Sequence, residues 1–563
     1  MSSQAPEPDG RNLSPLVFGE RGPEYDLLVI GGGCNGTGIA RDAALRGLRV
    51  VLLEKDDLGV GATGNSSGMI HGGVKYLLSD RAVTRLSCLD SGRIQQIAPH
   101  LLFRIPFVVP VYRSQPFARP YLELAETFFA AYDRYQPLKN GLPHLRLSGA
   151  EVHAAIPGLA AAAVGGIVFD EWGIDAYRLV IANALAAFEA GAEILLGHRV
   201  EGLLQTATGR VYGVRERELA TGRVRELTAA VVVNATGAWS PGLAGLAGQP
   251  LRLRPAKGIH LVYGRRLTNH ALVARAIDGR EIYLLPHGQA TWIGTTDDDY
   301  FGDPDDVAVT ADEIEYLLGG VAEVLPGILE YPILGTMVGI RPTVFRWGPY
   351  EDDLSRHHEI LDHGLSGASG LISVIGGKLA SYRLLAEETV DRVCFRLGRT
   401  APCRTGRVPL PGGERQLAGD ALATQLGLPQ SVVQRLLQRH GDRVRQIFAD
   451  RPLDRELVCP CQGVTAAEIR YVVRHEWARD LAMLRRRTGL GGGECGGARC
   501  LARAAQLLGM ELGYGPRQVQ ELVQREQRRC WRQQRQVLGQ AGVARLAKSR
   551  MLAAAARDLK EAP

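Results

Sequence analysis

The first apolar segment of the chain is hydrophobic at almost every position. Residues Tyr25–Ile30 read Tyr-Asp-Leu-Leu-Val-Ile, which is typical of a strand buried on both faces. A glycine-rich segment, 31–38, follows it, and a helix is predicted over Ile39–Arg46. A second apolar run, Arg49–Leu53, ends at Glu54. The pattern therefore predicts a β-α-β unit of about 30 residues.

Further along the chain, the apolar positions alternate between strand and helix periods. Period-two alternation over 193–233 and 259–300 predicts strands. Another buried run, Ile372–Ile375, precedes a Gly-Gly turn and a helix to about residue 397. The other helices predicted from apolar spacing are 78–140 with a Pro-rich break at 106–120, 177–190, 311–325, 415–450 and 516–558.

The glycine-rich turn after the first strand has the spacing of a dinucleotide-binding site. In Gly31-x-Gly33-x-x-Gly36, the first glycine allows a tight turn and the second lets the backbone approach a pyrophosphate. The third permits close packing of helix on strand, and Asn35 lies within the same turn. Free N–H groups at the helix start attract phosphate. Glu54 is placed to accept hydrogen bonds from a ribose, so the unit predicts a bound dinucleotide.

Three further turns favour FAD over NAD as that dinucleotide. The loop at 62–68 contains small donors suited to the pyrophosphate and to close approach of a flavin. The strand ending at residue 233 runs into an Ala-Thr-Gly turn, similar to a turn of many flavoproteins. A late Gly-Gly-Lys turn precedes a helix whose positive end favours a reduced flavin. The cofactor-binding residues predicted in these turns are Thr63, Asn65, Ser66, Ser67, Ala235, Thr236, Gly237, Gly377, Lys378 and Leu379.

The predicted fold class is α/β, or α+β overall. It is that of a two-dinucleotide-binding-domain flavoprotein, with a Rossmann-like FAD domain, an antiparallel-sheet substrate domain and a helical C-terminal region. Within the oxidoreductase unit, the FAD parts are about 25–100, 177–250 and 335–399, and the substrate parts about 101–176 and 251–334. The predicted segments are a disordered leader (1–24), this oxidoreductase unit (25–399), a linker and helical region (400–455), a small [2Fe-2S]-binding domain (456–510) and a basic helical tail (511–563).

The small C-terminal domain is predicted from four of the nine cysteines. Cys459-x-Cys461 is followed, after 33 residues, by Cys495-x4-Cys500. Both pairs lie in loops with many free N–H groups, which stabilise anionic thiolate ligands. These four residues are the predicted metal ligands. A [2Fe-2S] cluster, structural zinc, which also uses four cysteines, and unliganded thiols are the three possibilities, and the spacing is less typical of zinc ribbons.

Composition and charge narrow the class of protein further. No apolar run in the 563 residues reaches the ~18–20 residues of a membrane-spanning helix. The first 24 residues are polar and lack the apolar stretch of a signal peptide. The net charge of +6 is uneven, because residues 451–563 carry 21 Lys/Arg and 11 Asp/Glu. A basic C-terminal quarter indicates an acidic partner, an anionic membrane surface or an anionic cofactor.

Several motifs resemble one family of flavoproteins. Ile70-His71-Gly72-Gly73-Val74-Lys75-Tyr76-Leu77 is similar to a motif of the FAD-dependent glycerol-3-phosphate dehydrogenases. The four-cysteine segment resembles the bacterioferritin-associated-ferredoxin type of [2Fe-2S] domain on the large subunit of the anaerobic members. Four more segments resemble the family in its own order, so that the resemblance covers about 24–395: Arg254–His260, Ile293–Asp297, Gly339–Pro342 and Gly376–Arg383.

The resemblance implies a reaction and roles for individual residues. A hydride would pass from C2 of sn-glycerol 3-phosphate to flavin N5, giving dihydroxyacetone phosphate, with electrons passed via the cluster towards quinone. His260 is the predicted base, Arg341 would polarise the C2 oxygen, and Lys378 would serve the flavin or the phosphate. Further residues implied at the substrate are Lys75, Tyr76 and Arg356, and His71 and Gly73 are implied near the flavin.

Lysine is scarce in this chain, and one lysine departs from the family pattern. Only seven of the 66 basic residues are lysines, yet Lys75, Lys257 and Lys378 fall inside motifs that resemble the family's active site. The family usually has arginine at the position of Lys75. A lysine replaces a bidentate fork with a point charge, so the phosphate-binding mode stays open.

The resemblance also implies partners and a location. The expected partner is a quinone, or else an electron-transfer or membrane-anchor subunit; no nucleic acid is expected, and a homo-oligomer is an option. The expected location is cytoplasmic, peripherally associated with the inner face of the cell membrane. Two alternatives remain open from the sequence: a related FAD-dependent dehydrogenase of a 2-hydroxy acid or an amine, and a non-catalytic redox or scaffold flavoprotein subunit.

Overall fold

The computed structural model describes most of the chain. It covers residues 23–78, 80–113, 117–160, 163–348, 357–448, 451 and 453–537. Almost all of the predicted leader, the tail beyond residue 537 and the predicted phosphate ligand Arg356 lie outside the described residues.

The strands belong to two large sheets and one small hairpin. In chain order they are β1 (Tyr25–Ile30), β2 (Val50–Glu54), β3 (Leu102–Tyr112), β4 (Leu145–Ser148), β5 (Ala163–Ile174), β6 (Glu193–Leu196), β7 (His198–Gln205), β8 (Val211–Glu218), β9 (Val224–Asn234), β10 (Ala256–Tyr263), β11 (Ala271–Arg275), β12 (Glu281–His287), β13 (Ala290–Gly294), β14 (Asp298–Asp299), β15 (Gly335–Arg341), β16 (His358–Asp362), β17 (Leu371–Gly376), β18 (Leu457–Cys459) and β19 (Val464–Thr465).

The helices lie against the sheets and make up most of the C-terminal region. In chain order they are α1 (Cys34–Leu45), α2 (Arg81–Ile97), α3 (Ala118–Tyr132), α4 (Gly149–Ala155), α5 (Ala176–Glu189), α6 (Ser240–Gly245), α7 (Ala311–Ala322), α8 (Tyr382–Arg396), α9 (Gly419–Leu426), α10 (Gln430–His440), α11 (Val444–Ile447), α12 (Ala466–His475), α13 (Leu481–Thr488), α14 (Leu501–Leu512) and α15 (Pro516–Gln534).

The first sheet explains why four successive residues of the opening strand, 27–30, are hydrophobic. Its order is β16-β17-β9-β1-β2-β6, with β7 and β8 attached through β9, and β1 is parallel to both of its neighbours. Leu27 and Val29 belong to the core shared with α1 and α8, whereas Leu28 and Ile30 belong to the core on the opposite face. A strand that is covered on both faces has no solvent-exposed face, so alternating polar residues are not expected along it.

The second sheet is largely antiparallel and carries residues of the predicted substrate site. Its order is β14-β10-β13-β12-β11-β3-β5-β4, and β15 also pairs with β10. Residues of α4 and α7 belong to the core on one face, and residues of α3 to the core on the other. The pairing of β10 with β15 places His260 opposite Met337 and Ala256 opposite Arg341. This combination of a partly parallel and a largely antiparallel sheet confirms the predicted fold class.

The prediction of a helix with a Pro-rich break over 78–140 is wrong in its centre. Residues 102–112 form β3, a strand that pairs along its whole length with β5. Pro106 and Pro110 have no N–H, but β11 pairs with β3 only at Phe107 and Val108. Because the prolines are four residues apart, they place their missing donors at the same edge of the strand, where few ladder bonds are lost.

The C-terminal helices share one hydrophobic core. Buried apolar residues from Leu422 to Val523 form a continuous cluster, which includes Cys459 and Cys500. The cluster therefore spans parts of the predicted helical region, the cysteine segment and the start of the tail, and the boundaries between those segments stay a prediction. Across the described residues, none of the helices combines the length and the apolarity that crossing a bilayer requires.

Candidate active site

A cavity of about 1710 Å³ lies where the two sheets meet. Gly31, Glu54, Ala235 and Gly376, at or just beyond the carboxyl ends of β1, β2, β9 and β17, line one part of it. This is the edge at which parallel α/β sheets bind ligands. The volume exceeds the ~300–1,000 Å³ of an ordinary small-molecule site, so a dinucleotide and a small substrate fit together. All described residues predicted to bind cofactor or substrate line the cavity, except Gly36 and Gly73.

The glycine turn is shaped for backbone contact with a ligand. Gly31 has a φ of +111°, and a Cβ there would lie 2.5 Å from the carbonyl oxygen of Ala235. A Cβ on Gly36 would lie 1.9 Å from the carbonyl oxygen of Gly31. Helix α1 starts at Cys34, five residues before the predicted start, and Gly33 gives it no side-chain cap. The N–H groups of the first turn therefore remain close to the cavity, as a pyrophosphate requires.

Glu54 is held in place by backbone amides. Its carboxylate accepts hydrogen bonds from the N–H of Gly32 at 2.7 Å and from the N–H of Asp56 at 2.8 Å. Burial raises its pKa above the ordinary value. These two amides orient the carboxylate at the wall of the cavity, and its role at a ribose stays a prediction.

In the loop at 62–68, side chains mainly stabilise the loop itself. The Asn65 amide donates to the carbonyls of Val60 and Gly61, both at 2.9 Å, and the Ser66 hydroxyl donates to the carbonyl of Thr63 at 2.8 Å. The hydroxyl of Thr63 accepts from the N–H of Cys34 at 3.2 Å, which joins the loop to the glycine turn. The loop is therefore preformed beside the cavity.

The loop at 71–73 holds an imidazole in one orientation. Nδ1 of His71 accepts from the N–H of Gly73 at 3.1 Å, so its neutral form carries the proton on Nε2. Beneath the loop, Glu171 accepts from the N–H of Gly72 at 2.9 Å and forms an ion pair with Lys139 at 2.6 Å. Both ion-pair partners are almost completely buried. Sequence reasoning missed this pair; the scarcity of lysine was the one signal for it.

The late glycine turn brings a lysine onto an aromatic ring. Nζ of Lys378 lies 3.8 Å from the ring centroid of Tyr76, a cation–π geometry. Gly376, just before this turn, has a φ of +71°, and its carbonyl accepts from the Asn35 amide at 3.5 Å. Lys75 is exposed at the rim of the same cavity. The predicted residues Lys75, Tyr76 and Lys378 are thus brought together.

Lys257 does not belong with the other two motif lysines. Its ammonium pairs with Glu313 of α7 at 2.8 Å, and neither residue lines the cavity. The lysine within the 254–260 motif therefore ties a helix to β10.

His260, on β10, is buried in the wall of the cavity. Its Nε2 lies 2.9 Å from the hydroxyl of Ser67, while Nδ1 has no hydrogen-bond partner among the described residues. Burial lowers the pKa of the imidazole to about 3, and the positive charge of Arg341 acts in the same direction. A neutral ring is the state in which a histidine accepts a proton.

Arg341 is oriented by an acidic neighbour. Its guanidinium forms an ion pair with Asp297, a residue that is 6% exposed. It also approaches the hydroxyl of Thr295 and the carbonyl of Thr296, each at 3.4 Å. Asp297 belongs to a family-like motif, but the sequence had predicted no role for it. The pair fixes the direction in which Arg341 presents its remaining donors.

The four predicted ligand cysteines lie next to one another. The Sγ atoms of Cys459 and Cys461 are 3.6 Å apart, Cys500 hydrogen-bonds to Cys459, and Cys495 to Cys461. The hydrogen bond from Cys500 contributes most to a Cys459 pKa of about 5, whereas burial contributes most to a Cys461 pKa of about 12.

Each of these sulfur contacts joins only two of the four cysteines. Within the part of the chain that the structure describes, no three histidine, cysteine or carboxylate side chains converge as a formed metal site would require. All nine cysteines are free, and Cys461 is the exposed member of the four. The four predicted ligands are therefore neighbours in the fold, and the metal that they were predicted to hold stays a prediction.

The fold and the glycine-lined cavity define a flavin-type oxidoreductase. Residues 26–383 match the family described as FAD dependent oxidoreductase. Residues 403–519 match the C-terminal domain of alpha-glycerophosphate oxidase.

Individual relatives agree with this class. A subunit of the anaerobic glycerol-3-phosphate dehydrogenase of Escherichia coli (strain K12) is 36% identical over 490 residues, which cover 86% of this chain and 88% of the relative. The corresponding protein of Haloferax volcanii, named for the same anaerobic enzyme, is 31% identical, covering 95% of this chain and 91% of the relative. The chain belongs to the FAD-dependent glycerol-3-phosphate dehydrogenase family, which confirms the predicted resemblance.

Solved structures support the same conclusion. The glycerol-3-phosphate dehydrogenase from Bacillus halodurans, complexed with FAD, superposes with a TM-score of 0.72 at 25% identity and covers 92% of this chain and 97% of its own. A glycine oxidase from Geobacillus kaustophilus, at 22% identity and a TM-score of 0.50, shares the fold over 70% of this chain and 99% of its own. The family and the FAD-complexed structure confirm FAD as the cofactor.

Proposed function

We propose that this chain oxidises sn-glycerol 3-phosphate to dihydroxyacetone phosphate, with FAD as the hydride acceptor. The observation that carries the proposal is the grouping of Arg341, Lys378 and Lys75 around one cavity that also contains the glycine turn and His260. A phosphate dianion requires several cations, whereas a carboxylate or an amine substrate requires fewer. The names of the relatives point to the same substrate.

The residues present fit FAD. Gly31 and Gly36 leave space that a Cβ would fill, and the start of α1 offers N–H groups for the pyrophosphate. Glu54, held by two amides, is the proposed ribose acceptor. When bound, FAD supplies the acceptor for the hydride that leaves C2.

Oxidation at C2 also releases the hydroxyl proton, and His260 is the proposed acceptor. Burial keeps its ring neutral, and the Ser67 hydroxyl at 2.9 Å offers a hydrogen-bonded path from the cavity to Nε2. A phosphate dianion in the cavity favours the protonated imidazole, because a nearby negative charge raises the pKa of a histidine. Substrate binding would thus increase the basicity of His260 when it is needed.

The positively charged residues of the cavity are proposed to act at different ends of the substrate. Arg341, directed by Asp297, is proposed to polarise the C2 oxygen as it becomes a carbonyl. Lys378 is proposed to bind the phosphate or to act on the flavin, with Tyr76 fixing its ammonium. Lys75, at the rim of the cavity, is a proposed additional phosphate ligand. Arg356, which lies outside the described residues, is proposed as another from the family resemblance alone.

The four-cysteine site is proposed to hold a [2Fe-2S] cluster, which carries single electrons when bound. The supporting observation is that the four cysteines are neighbours in the fold, with the Sγ atoms of Cys459 and Cys461 3.6 Å apart. The proposed acceptor, a quinone or an electron-transfer subunit, lies at the inner face of the cell membrane. The exposed arginines Arg528, Arg532 and Arg535 at the end of the chain's basic region suit an acidic partner or an anionic membrane surface.

An anaerobic titration of the holoenzyme with sn-glycerol 3-phosphate tests the oxidation. The flavin absorbance should bleach as substrate is added, with the two electrons from each substrate shared between the flavin and the proposed cluster, and lactate and glycine should leave it unchanged at the same concentration. Absence of bleaching by glycerol 3-phosphate would refute the proposed substrate.

A pair of cysteine variants tests the cluster. Cys459→Ser should lose iron and the visible charge-transfer absorbance of the cluster. Cys530→Ser is the matched control, because Cys530 is a buried free cysteine outside the set of four. Zinc in place of iron in the anaerobically purified protein would rule the cluster out.

A further inference from the structure

The loop that follows β2, residues 55–68, is called the FAD-side loop. It contacts the C-terminal domain through buried charged side chains. The Asp57 carboxylate accepts two hydrogen bonds from the Arg487 guanidinium, at 2.8 and 2.7 Å, and one from Arg486 at 2.8 Å. Asp57 is 1% exposed and Arg487 is completely buried. Burial alone would raise the pKa of Asp57, but the two guanidinium groups outweigh it and lower that pKa to about 2.

On the FAD side, Asp57 belongs to the turn at residues 54–59, which hydrogen-bonds to the glycine turn of the predicted cofactor site. Glu54 accepts from the N–H of Gly32, and the N–H of Gly59 donates back to the carbonyl of Gly32 at 3.0 Å. Residues at both ends of the 54–59 turn therefore hydrogen-bond to the backbone of Gly32, within the glycine turn. Because Asp57 lies within this turn, movement of its carboxylate changes the position of the proposed ribose acceptor Glu54.

A second contact joins the same two regions. Arg486 also lies over the ring of Tyr177, with its guanidinium carbon 6.0 Å from the ring centroid. A Cβ on Gly64 would lie 2.2 Å from that ring, and one on Gly59 would lie 3.3 Å from it. The ring of Tyr177 therefore lies against Arg486 and packs against Gly59 and Gly64 of the FAD-side loop.

On the other side, the two arginines are close to the four cysteines along the chain. They lie near the end of α13, which ends at Thr488, and Gly491 follows three residues later. Arg485 of α13 donates to the carbonyl of Gly491 at 3.4 Å, and two residues further on a Cβ on Gly493 would lie 2.8 Å from Sγ of Cys461. A short rigid segment therefore joins the Asp57 contact to a predicted cluster ligand.

We propose that Asp57, Arg486 and Arg487 are positioning residues that couple FAD binding to occupation of the four-cysteine site. When the thiols hold their group, the segment after α13 is ordered, and the arginines hold the turn that carries Glu54. When the group is lost, this hold weakens and FAD binds less tightly. Linkage requires the converse as well, so that FAD loss loosens the cysteine site by the same factor. The inference rests on the proposed group at the four-cysteine site.

The test is FAD affinity, measured by flavin fluorescence after FAD has been removed from the full-length protein. We expect Asp57→Asn and Cys459→Ser each to raise the FAD dissociation constant about tenfold, within the range usual for coupled sites. The double variant should show about the same tenfold loss, because both changes break one connection. Factors that multiply in the double variant, or an unchanged affinity in Asp57→Asn, would overturn the coupling.

Glu476→Gln is the matched control. The Glu476 carboxylate forms another buried ion pair between the C-terminal domain and the oxidoreductase unit, with Arg178 at 2.5 Å. The backbone carbonyl of Glu476 accepts from Arg487, a contact that Glu476→Gln retains, so the substitution changes only the pair with Arg178. Its FAD affinity should stay within about threefold of wild type, and its effect should multiply with that of Cys459→Ser. If the control equals Asp57→Asn, general loosening of the interface explains the result and the proposal fails.

Two further measurements keep the result interpretable. If Asp57→Asn does not fold, Arg486→Gln makes the same test, because Arg486 supplies one hydrogen bond and its side chain is 18% exposed. Iron is measured in each preparation. Wild type without iron would refute the proposed cluster, whereas wild type with iron and multiplying factors would refute the coupling alone. Substrate is absent throughout, so the outcome does not depend on the proposed oxidation.

Discussion

His260 and Ser67 form a hydrogen bond that joins the two halves of the cavity. Nε2 of His260 lies 2.9 Å from Oγ of Ser67. Ser67 belongs to the loop beside the glycine turn, whereas His260 belongs to β10 of the second sheet. The proposed base is therefore in contact with the loop that is predicted to approach the flavin.

His260→Gln should remove the proposed base and retain the hydrogen bond to Ser67. We expect kcat for glycerol 3-phosphate to fall by about 10²–10⁴, the usual contribution of a general base. The measurement is stopped-flow reduction of the flavin, with FAD content as the check on folding. Ser67→Ala is the companion variant and should lose less, about tenfold, because it removes a connecting group but leaves the imidazole. A flavin reduction rate within threefold of wild type in His260→Gln would exclude the base role.

Asp297→Asn should leave Arg341 in place but remove the charge that orients it. We expect kcat/KM to fall by about tenfold to hundredfold, since each tenfold corresponds to about 1.4 kcal/mol of transition-state stabilisation. Arg341→Lys should cost at least as much, because lysine lacks the planar guanidinium geometry. Steady-state kinetics on FAD-saturated protein measures both. A larger loss in Asp297→Asn than in Arg341→Lys would mean that Asp297 acts on its own.

Variants of Tyr76 test whether its aromatic ring positions the ammonium of Lys378. Tyr76→Phe keeps the face on which the ammonium lies and should change KM less than twofold. Tyr76→Leu removes that face, and a cation–π contribution of ~0.5–2 kcal/mol predicts a rise in KM of about 2- to 30-fold. Equal effects of the two variants would show that the tyrosine hydroxyl, and not the ring, is the functional group.

Stability should fall as the pH drops from neutral. Burial lowers the pKa of His260 to about 3, and burial with the charges of Arg178 and His440 lowers that of His100 to about 3. An unfolded histidine takes up its proton near pH 6.5, so between about pH 6.5 and 3 the unfolded chain binds more protons than the folded one. Stability therefore rises with pH across that window and is lost as the pH falls through it.

Urea unfolding at pH 7, 6, 5 and 4 measures this slope. His100→Gln should flatten the slope, because it removes one of the histidines whose pKa is lowered by burial. His475→Gln changes an exposed histidine and should leave the slope as in wild type. A slope in His100→Gln that matches wild type would show that this histidine does not contribute.

The sequence predicted local elements better than it predicted contacts between distant segments. The strand-turn-helix unit at residues 25–54 was predictable because its periodicity and its glycines lie within one short segment. Strand β3 was not, because its prolines indicate a break, and only pairing with β5, some 60 residues away, makes it a strand.

The site shows the same division. Residues within motifs, such as Lys378 and His260, could be proposed from the sequence. Their partners Tyr76 and Ser67 were proposed too, but for substrate and cofactor and not for each other, because the contacts cross between distant segments. Asp57 and Arg487 are 430 positions apart and belong to no motif, so only the folded structure brings them together.

The position of β1 at the centre of the first sheet determines when that sheet can form during synthesis. Its neighbour β9 ends at Asn234, and β17, which pairs with β9, ends at Gly376. At translation rates of about 5–20 residues per second, β1 leaves the ribosome about 10–40 seconds before β9 is available. During that interval a largely apolar strand has an unpaired edge, so the nascent chain should depend on chaperones until the middle of the protein has been made.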